Sequence, residues 1–281
     1  MAFRIDEKHL FTSVLARESV GSGKAPSFLA AGSGGGGSSG PIKSSDHHAQ
    51  HHGAEFPPVA TWDFNWDKRQ PEAVVKPPPP VPGGGGVNSL QQVEDYHEKI
   101  AKATPSAARV LILVRHGQYN LSGSQDSERY LTELGREQAD LTGHRLAQLV
   151  NHYNSTKKYD LSLVMSSMTR ATETANIIAK HLETSAAESA ESCSLIREGA
   201  PCEPVPSASS VWDPDPHQFF EEGARIEAGF RKYFHRADPS QKDNSVQILV
   251  CHGNVIRYFV CRALQLPPQV LSLVKIHSCF I

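Results

Sequence analysis

The sequence predicts an α/β fold with a mostly parallel sheet, and three observations carry that prediction. Short apolar runs rich in β-branched residues alternate with longer segments of helical period along residues 107–266. Each strand-like run passes into a helix before the next one, a crossover order that makes neighbouring strands parallel. The exits of these runs are polar and glycine-containing, with Arg115-His116-Gly117 after the first and His252-Gly253-Asn254 after the last. In open sheets of this kind ligands bind beyond the carboxyl ends of the strands.

Residues 1–105 read differently, as a disordered low-complexity tether ahead of a domain at 106–281. A Gly/Ser tract covers 32–40, KPPPPVPGGGG covers 76–86, and His47, His48, His51 and His52 lie between them. Such composition buries too little apolar surface to offset chain entropy. The four histidines have no cysteine or carboxylate at fixed spacing, so they read as a solvated tract and not a metal site. One island stands out: Trp62, Asp63, Phe64, Asn65, Trp66 and Asp67 place three aromatics in a segment with no local core. Exposed rings of this kind dock, either on the chain's own domain or on a partner. Leu90, Val93 and His97 then share helical spacing and predict a short helix leading into the domain.

The domain elements follow in order. A first strand is expected at 109–114. Thr132 is the expected N-cap of a helix running to about Val150, with Leu134, Leu141, Leu146, Leu149 and Val150 on its buried arc. A second strand at 161–165 leads to a helix capped by Ser167, with Ala171, Ala175, Ile178 and Leu182 as its stripe. A weaker third strand is expected at 194–197, followed by a proline-rich loop. Phe219, Ile226, Phe230, Tyr233 and Phe234 mark an amphipathic helix. The fourth strand, 246–251, feeds a last helix carrying Ile256, Phe259, Val260 and Ala263.

Composition narrows the function classes. With 28 basic against 30 acidic residues in 281, nothing draws the chain to nucleic acid or to an anionic membrane surface. Five cysteines without a Cys-x-x-Cys pair point to free thiols in a reducing compartment. No apolar run reaches the ~18 residues that span a bilayer.

The chemistry gathers at the strand ends. Arg115 and His116 follow the first strand, Arg170 lies in the first turn of the next helix, and His252 follows the fourth strand. Guanidinium forks suit the oxygens of a phosphoryl group, and an imidazole nitrogen can attack its phosphorus. A leaving alkoxide also needs a proton. Glu198, after the third strand, is the best-placed acid, with Asp126 and Glu128 as runners-up.

LVRHGQ, LTELGREQA, SSMTRATETA and VCHGNVIR resemble, in order and spacing, the motifs of the histidine phosphatase (phosphoglycerate mutase-like) superfamily. WDFNWD, LIREGAP and HGNVIRYFVCRALQLPP are similar, more narrowly, to its mitochondrial serine/threonine-protein phosphatases. The resemblance implies a three-layer αβα sandwich that uses no metal or organic cofactor. It implies His116 as the phosphorylated nucleophile, Arg115, Arg170 and His252 as the phosphate pocket, with His252 also catalytic, and Glu198 as the general acid. It implies phosphoprotein substrates, a mitochondrial location with membrane association, and homo-oligomers held through Trp62, Asp63, Asn65, Trp66 and Asp67.

The sequence also departs from the family pattern. Residues 5–55 show no membrane-spanning run, and the chain stops at Ile281, before a closing strand, so an unpaired sheet edge is expected. Mutases continue Arg-His-Gly with Glu; here Gln118-Tyr119-Asn120 follows, which favours phosphatase over mutase. Two rival readings are a small-molecule phosphatase or mutase, and an oligomeric scaffold with a weak or inactive domain.

Overall fold

In the computed structural model residues 2–5, 10–13, 62–79, 90–155, 157–182, 187–205 and 214–276 are described. The strands are β1 (Ala2–Ile5), β2 (Leu10–Ser13), β3 (Arg109–Arg115), β4 (Tyr159–Ser166), β5 (Glu191–Cys193) and β6 (Asn244–Cys251). They form one sheet of order β2-β1-β3-β6-β4-β5. β3, β6, β4 and β5 are parallel, and β1 runs antiparallel to both β3 and β2. The helices are α1 (Pro71–Val74), α2 (Leu90–Ala103), α3 (Glu133–Asn154), α4 (Thr169–Ala179), α5 (Pro216–Tyr233) and α6 (Gly253–Ala263).

The pleat of the central strands divides the core in two. Val110, Ile112 and Val114 of β3, with Ile248 and Val250 of β6, pack against Leu146, Val150, Ala171, Ala175 and Ile178 of α3 and α4. The alternate residues, Leu111, Leu113, Leu249 and Cys251, pack against Ile226, Phe230, Val255 and Phe259 of α5 and α6. The result is the expected three-layer αβα sandwich, and the carboxyl ends of β3, β4 and β6 lie side by side.

Several local expectations are corrected. Leu134 and Leu141 are solvent-exposed; the buried stripe of α3 is Gly135, Ala139, Thr142, Gly143, Leu146 and Val150. Small residues on that stripe let α4 approach closely, which a leucine arc would prevent. The third strand ends at Cys193, and Ser194–Ile196 form a 3-10 turn that swings Arg197 and Glu198 toward the site. Met168, not Ser167, is the N-cap of α4; the cap is supplied from the loop after β3, where Asp126 Oδ2 accepts from Thr169 N at 3.0 Å.

The tether is shorter than expected. β1 joins the sheet with register Ala2↔Ile112 to Ile5↔Arg109, and Phe3 and Ile5 are fully buried. Phe3 meets Phe234 edge-on with ring centroids 5.3 Å apart. β1 thereby pairs one side of β3, and β2 lies outside it at the sheet edge. Residues 62–79 also fold, and α2 is a helix of four turns. The Gly/Ser tract, the four histidines at 47–52 and residues 277–281 lie outside the described residues. No helix among the described residues is long and apolar enough to cross a membrane.

Candidate active site

The site is organised around the loop that leaves β3. His116 N donates to Cys251 O at 3.1 Å, extending the β3–β6 ladder one residue past the strand. The loop then lies directly on the first turn of α3. A Cβ on Gly135 would fall 1.9 Å from Gln118 O, and one on Gly117 would fall 2.4 Å from Gly135 O. Only two facing glycines permit this approach. Thr132 caps α3 as expected, accepting from Gly135 N at 3.1 Å, while its own N–H donates to Gln118 O at 3.0 Å. Gly117 N donates to Thr174 Oγ1 at 3.0 Å, which ties the loop to α4.

His116 is buried, and two hydrogen bonds fix its proton. Nδ1 lies 2.8 Å from Gly117 O, which can only accept, so Nδ1 carries the hydrogen. Nε2 accepts from Arg170 Nε at 3.3 Å and therefore presents a lone pair. Burial holds the imidazole down to about 3, reinforced by the charges of Arg170 and Arg115 and partly opposed by the Gly117 bond. The ring is neutral throughout the physiological range.

His252 stands 5.1 Å from His116 between ring centroids and is fully buried. Its Nε2 shares a 2.7 Å hydrogen bond with Ser166 Oγ. The same hydroxyl oxygen accepts from Met168 N at 3.3 Å, and His252 Nδ1 is left without a hydrogen-bond partner. Burial and the nearby His116 ring keep His252 well below the ordinary imidazole range.

Three buried nitrogens around His116 have no hydrogen-bond partner: Arg115 Nε, Arg170 Nη1 and His252 Nδ1. Buried polar atoms without a partner are costly, and the two guanidinium nitrogens, which can only donate, call for an acceptor. A phosphoryl group has three equatorial oxygens to offer. Arg170 sits in the first turn of α4, as expected, and its guanidinium also stacks 4.6 Å over the Tyr119 ring. Tyr119 in turn meets His116 edge-on at 5.1 Å.

The three candidate acids are now distinguishable. Asp126 is committed to capping α4 and lies 3.6 Å from Arg170 Nη1. Glu128 accepts from Ser124 N, Gln125 N and Ser124 Oγ, and these bonds hold its carboxyl below the ordinary range. Glu198 differs. Its Oε1 accepts only long bonds, from Gly199 N at 3.2 Å and Asn254 N at 3.3 Å, and burial pushes its carboxyl up. Arg225 of α5 fixes this turn by donating to Leu195 O, Arg197 O and Glu198 O.

A raised carboxyl stays protonated to higher pH, so activity that needs the acid falls as pH rises through its pKa. Glu198→Gln should remove that alkaline limb. It should slow a phosphoserine peptide by about 10²–10⁴-fold and an aryl phosphate, whose leaving group needs little protonation, far less. Steady-state rates on the two substrates across pH check this.

Residues that sequence reasoning missed include Ser166, Thr174 and Arg225, which touch the predicted residues from other elements. The aromatic island lies elsewhere, docked on the chain's own domain. Asp67 forms a fully buried ion pair with Arg236, whose Nη2 donates to Phe64 O at 2.6 Å and whose guanidinium lies 5.6 Å over Trp66. Asp63 exchanges two bonds with Gln265, at 2.6 and 2.9 Å. Asn65 Oδ1 accepts from Gln70 N at 3.1 Å, within the segment. Trp62 and Phe64 remain 41% and 61% exposed.

A mixed sheet whose parallel strands gather at their carboxyl ends a neutral histidine and unpartnered guanidinium nitrogens defines an α/β phosphoryl-transfer domain. The chain belongs to the histidine phosphatase superfamily (branch 1), whose profile matches residues 111–281. It is 44% identical over 222 residues to the mitochondrial serine/threonine-protein phosphatase PGAM5 of Xenopus laevis, covering 79% of this chain and 74% of the relative. The rat protein of the same name is 47% identical over 213 residues, covering 76% and 68%. The Drosophila pseudoobscura relative, Pgam5, is 45% identical over 225 residues, covering 80% and 72%.

Proposed function

We propose that this chain is a mitochondrial protein serine/threonine phosphatase that works through a phosphohistidine on His116. The observation that carries the reading is the set of buried nitrogens without a hydrogen-bond partner, Arg115 Nε, Arg170 Nη1 and His252 Nδ1, gathered around His116 Nε2. In the first step Nε2 attacks phosphorus in line while Arg115 and Arg170, joined by His252 in the tautomer with its proton on Nδ1, take up the charge on the phosphoryl oxygens. Glu198 protonates the departing serine or threonine oxygen. In the second step water attacks the phosphohistidine, Glu198 accepts its proton, and His116 is regenerated as phosphate leaves.

The protein substrate rests on the names of the relatives and on Gln118-Tyr119 after the motif. Side-by-side rates on a phosphoserine peptide, a phosphoglycerate and an aryl phosphate test it. Peptide turnover well above phosphoglycerate turnover is expected. The reverse order would favour the small-molecule enzyme, and no turnover of any of the three would favour the scaffold.

The mitochondrial location follows the relatives' names, and membrane association rests on the family resemblance alone. Homo-oligomerisation through the aromatic island is a further part of the proposal. Its support is that Trp62 and Phe64 stay exposed beside an acceptor formed by Arg236 and Gln265, which the same motif of a second copy would fit. Trp62→Ala with Trp66→Ala should lower the particle mass seen by light scattering. An unchanged mass would restrict the island to its own domain.

A further inference from the structure

We propose that Asp140, His144 and His181 form a binding site for one Zn²⁺ ion on the α3–α4 face of the domain. Asp140 and His144 stand four residues apart on α3, so both side chains leave the helix on one face. His181 follows the last turn of α4 and reaches across to α3, where its Nε2 lies 2.7 Å from Asp140 Oδ1. His144 Nε2 lies 3.7 Å from Asp140 Oδ2. The two imidazoles face one another with centroids 4.1 Å apart at 46°. One ligand atom from each residue falls within 4.8 Å of the other two. A tetrahedral zinc with bonds of about 2.0–2.2 Å sets its ligands roughly 3.3 Å apart, so small side-chain rotations seat the ion.

A second observation concerns how His181 is held. A Cβ on Gly143 would lie 2.4 Å from His181 Cδ2 and 3.2 Å from Ile178 Cα. The ring is seated on bare helix backbone, one residue from His144, and its side chain is only 17% exposed while those of Asp140 and His144 are open to solvent. Packing thus fixes one imidazole beside the two ligands that approach from the surface, the preorganisation a metal site requires. Any residue but glycine at 143 would push the ring away from them.

The donor set selects the ion. Two imidazoles and one carboxylate suit Zn²⁺, whereas Mg²⁺ and Ca²⁺ prefer oxygen ligands throughout. Three protein ligands leave a fourth position for water. The site lies beyond the far end of α4 from Arg170, whose nine further helical residues to Ala179 span roughly 13 Å at ~1.5 Å per residue. It is therefore a clip between α3 and α4 and takes no part in the phosphoryl step.

The test is a competition titration of inorganic Zn²⁺ against a chromogenic chelator. It uses the full chain with His47, His48, His51 and His52 replaced by Ala, which removes the other imidazole-rich stretch. This protein is expected to take up one equivalent of zinc and to gain thermal stability with it. His144→Ala and Asp140→Asn, both exposed and neutral for core packing, should each weaken that equivalent at least about tenfold and abolish the thermal gain. Both should keep parental turnover of an aryl phosphate, which shows them folded. Failure of the parent to bind zinc, or parental affinity in both variants, would overturn the site and leave a plain Asp–His–His hydrogen-bonded cluster.

Discussion

Replacing His116 by Ala is expected to lower turnover of an aryl phosphate by at least about a thousandfold. The size of the effect follows from what remains. Without the imidazole the pocket loses its proposed nucleophile: His252 Nε2 shares a short 2.7 Å bond with Ser166, whereas His116 Nε2 holds only a long 3.3 Å bond from Arg170, and Arg115 and Arg170 are cations. The anion site itself survives, because the donors on Arg115, Arg170 and His252 belong to other residues. Inorganic phosphate should accordingly still compete for the pocket within a few-fold of its original strength. Steady-state kinetics and a phosphate-binding titration separate the two outcomes. Loss of phosphate binding along with turnover would mean that His116 holds the pocket together and does not merely react in it.

Asp67→Ala is expected to cost about 3–5 kcal/mol of folding free energy. The side chains of Asp67 and Arg236 are 0% and 4% exposed, and the alanine would leave a guanidinium buried without its carboxylate. Arg236 also carries the contacts to Phe64 O and Trp66, so the docked island should loosen with it. Thermal unfolding should shift downward by on the order of 10 °C. Because Arg236 lies two residues after Phe234, which packs against Phe230, Phe259 and Phe3, the disturbance reaches the α5–α6 half of the core. A shift under about 2 °C would show that the pair's attraction barely exceeds its desolvation cost.

How much of this was legible depends on whether the signal is local. Arg115, His116, Arg170 and His252 could be picked out because each follows a strand within a residue or two, or opens a helix, and the period of the flanking residues marks those ends. The conversion of Asp126 from candidate acid to helix cap was not legible, since the capped residue, Thr169, lies 43 positions away. The strand at Ala2–Ile5 was missed for a related reason. Its four residues alternate, but only pairing with β3 more than a hundred residues later gives that alternation a face to bury. Leu134 and Leu141 misled in the opposite way. They look like core by type, yet the close approach of α4 makes Gly135, Ala139 and Gly143 the residues that must face inward.

The island shows the same limit from the side of function. Its aromatics announced docking, and the acceptor became visible only when Arg236 and Gln265 came together in the fold. The tautomer of His116 likewise needed coordinates, because it depends on the turn that brings Gly117 O within 2.8 Å of Nδ1.

That tautomer gives the central claim its sharpest test. The enzyme should be mixed with substrate, quenched under alkaline conditions that preserve phosphohistidine, digested and analysed for the position of the phosphoryl group. The predicted product is a single phosphopeptide containing His116 with phosphorus on Nε2. Phosphate on Nδ1, on another residue, or on no residue during active turnover would contradict the account.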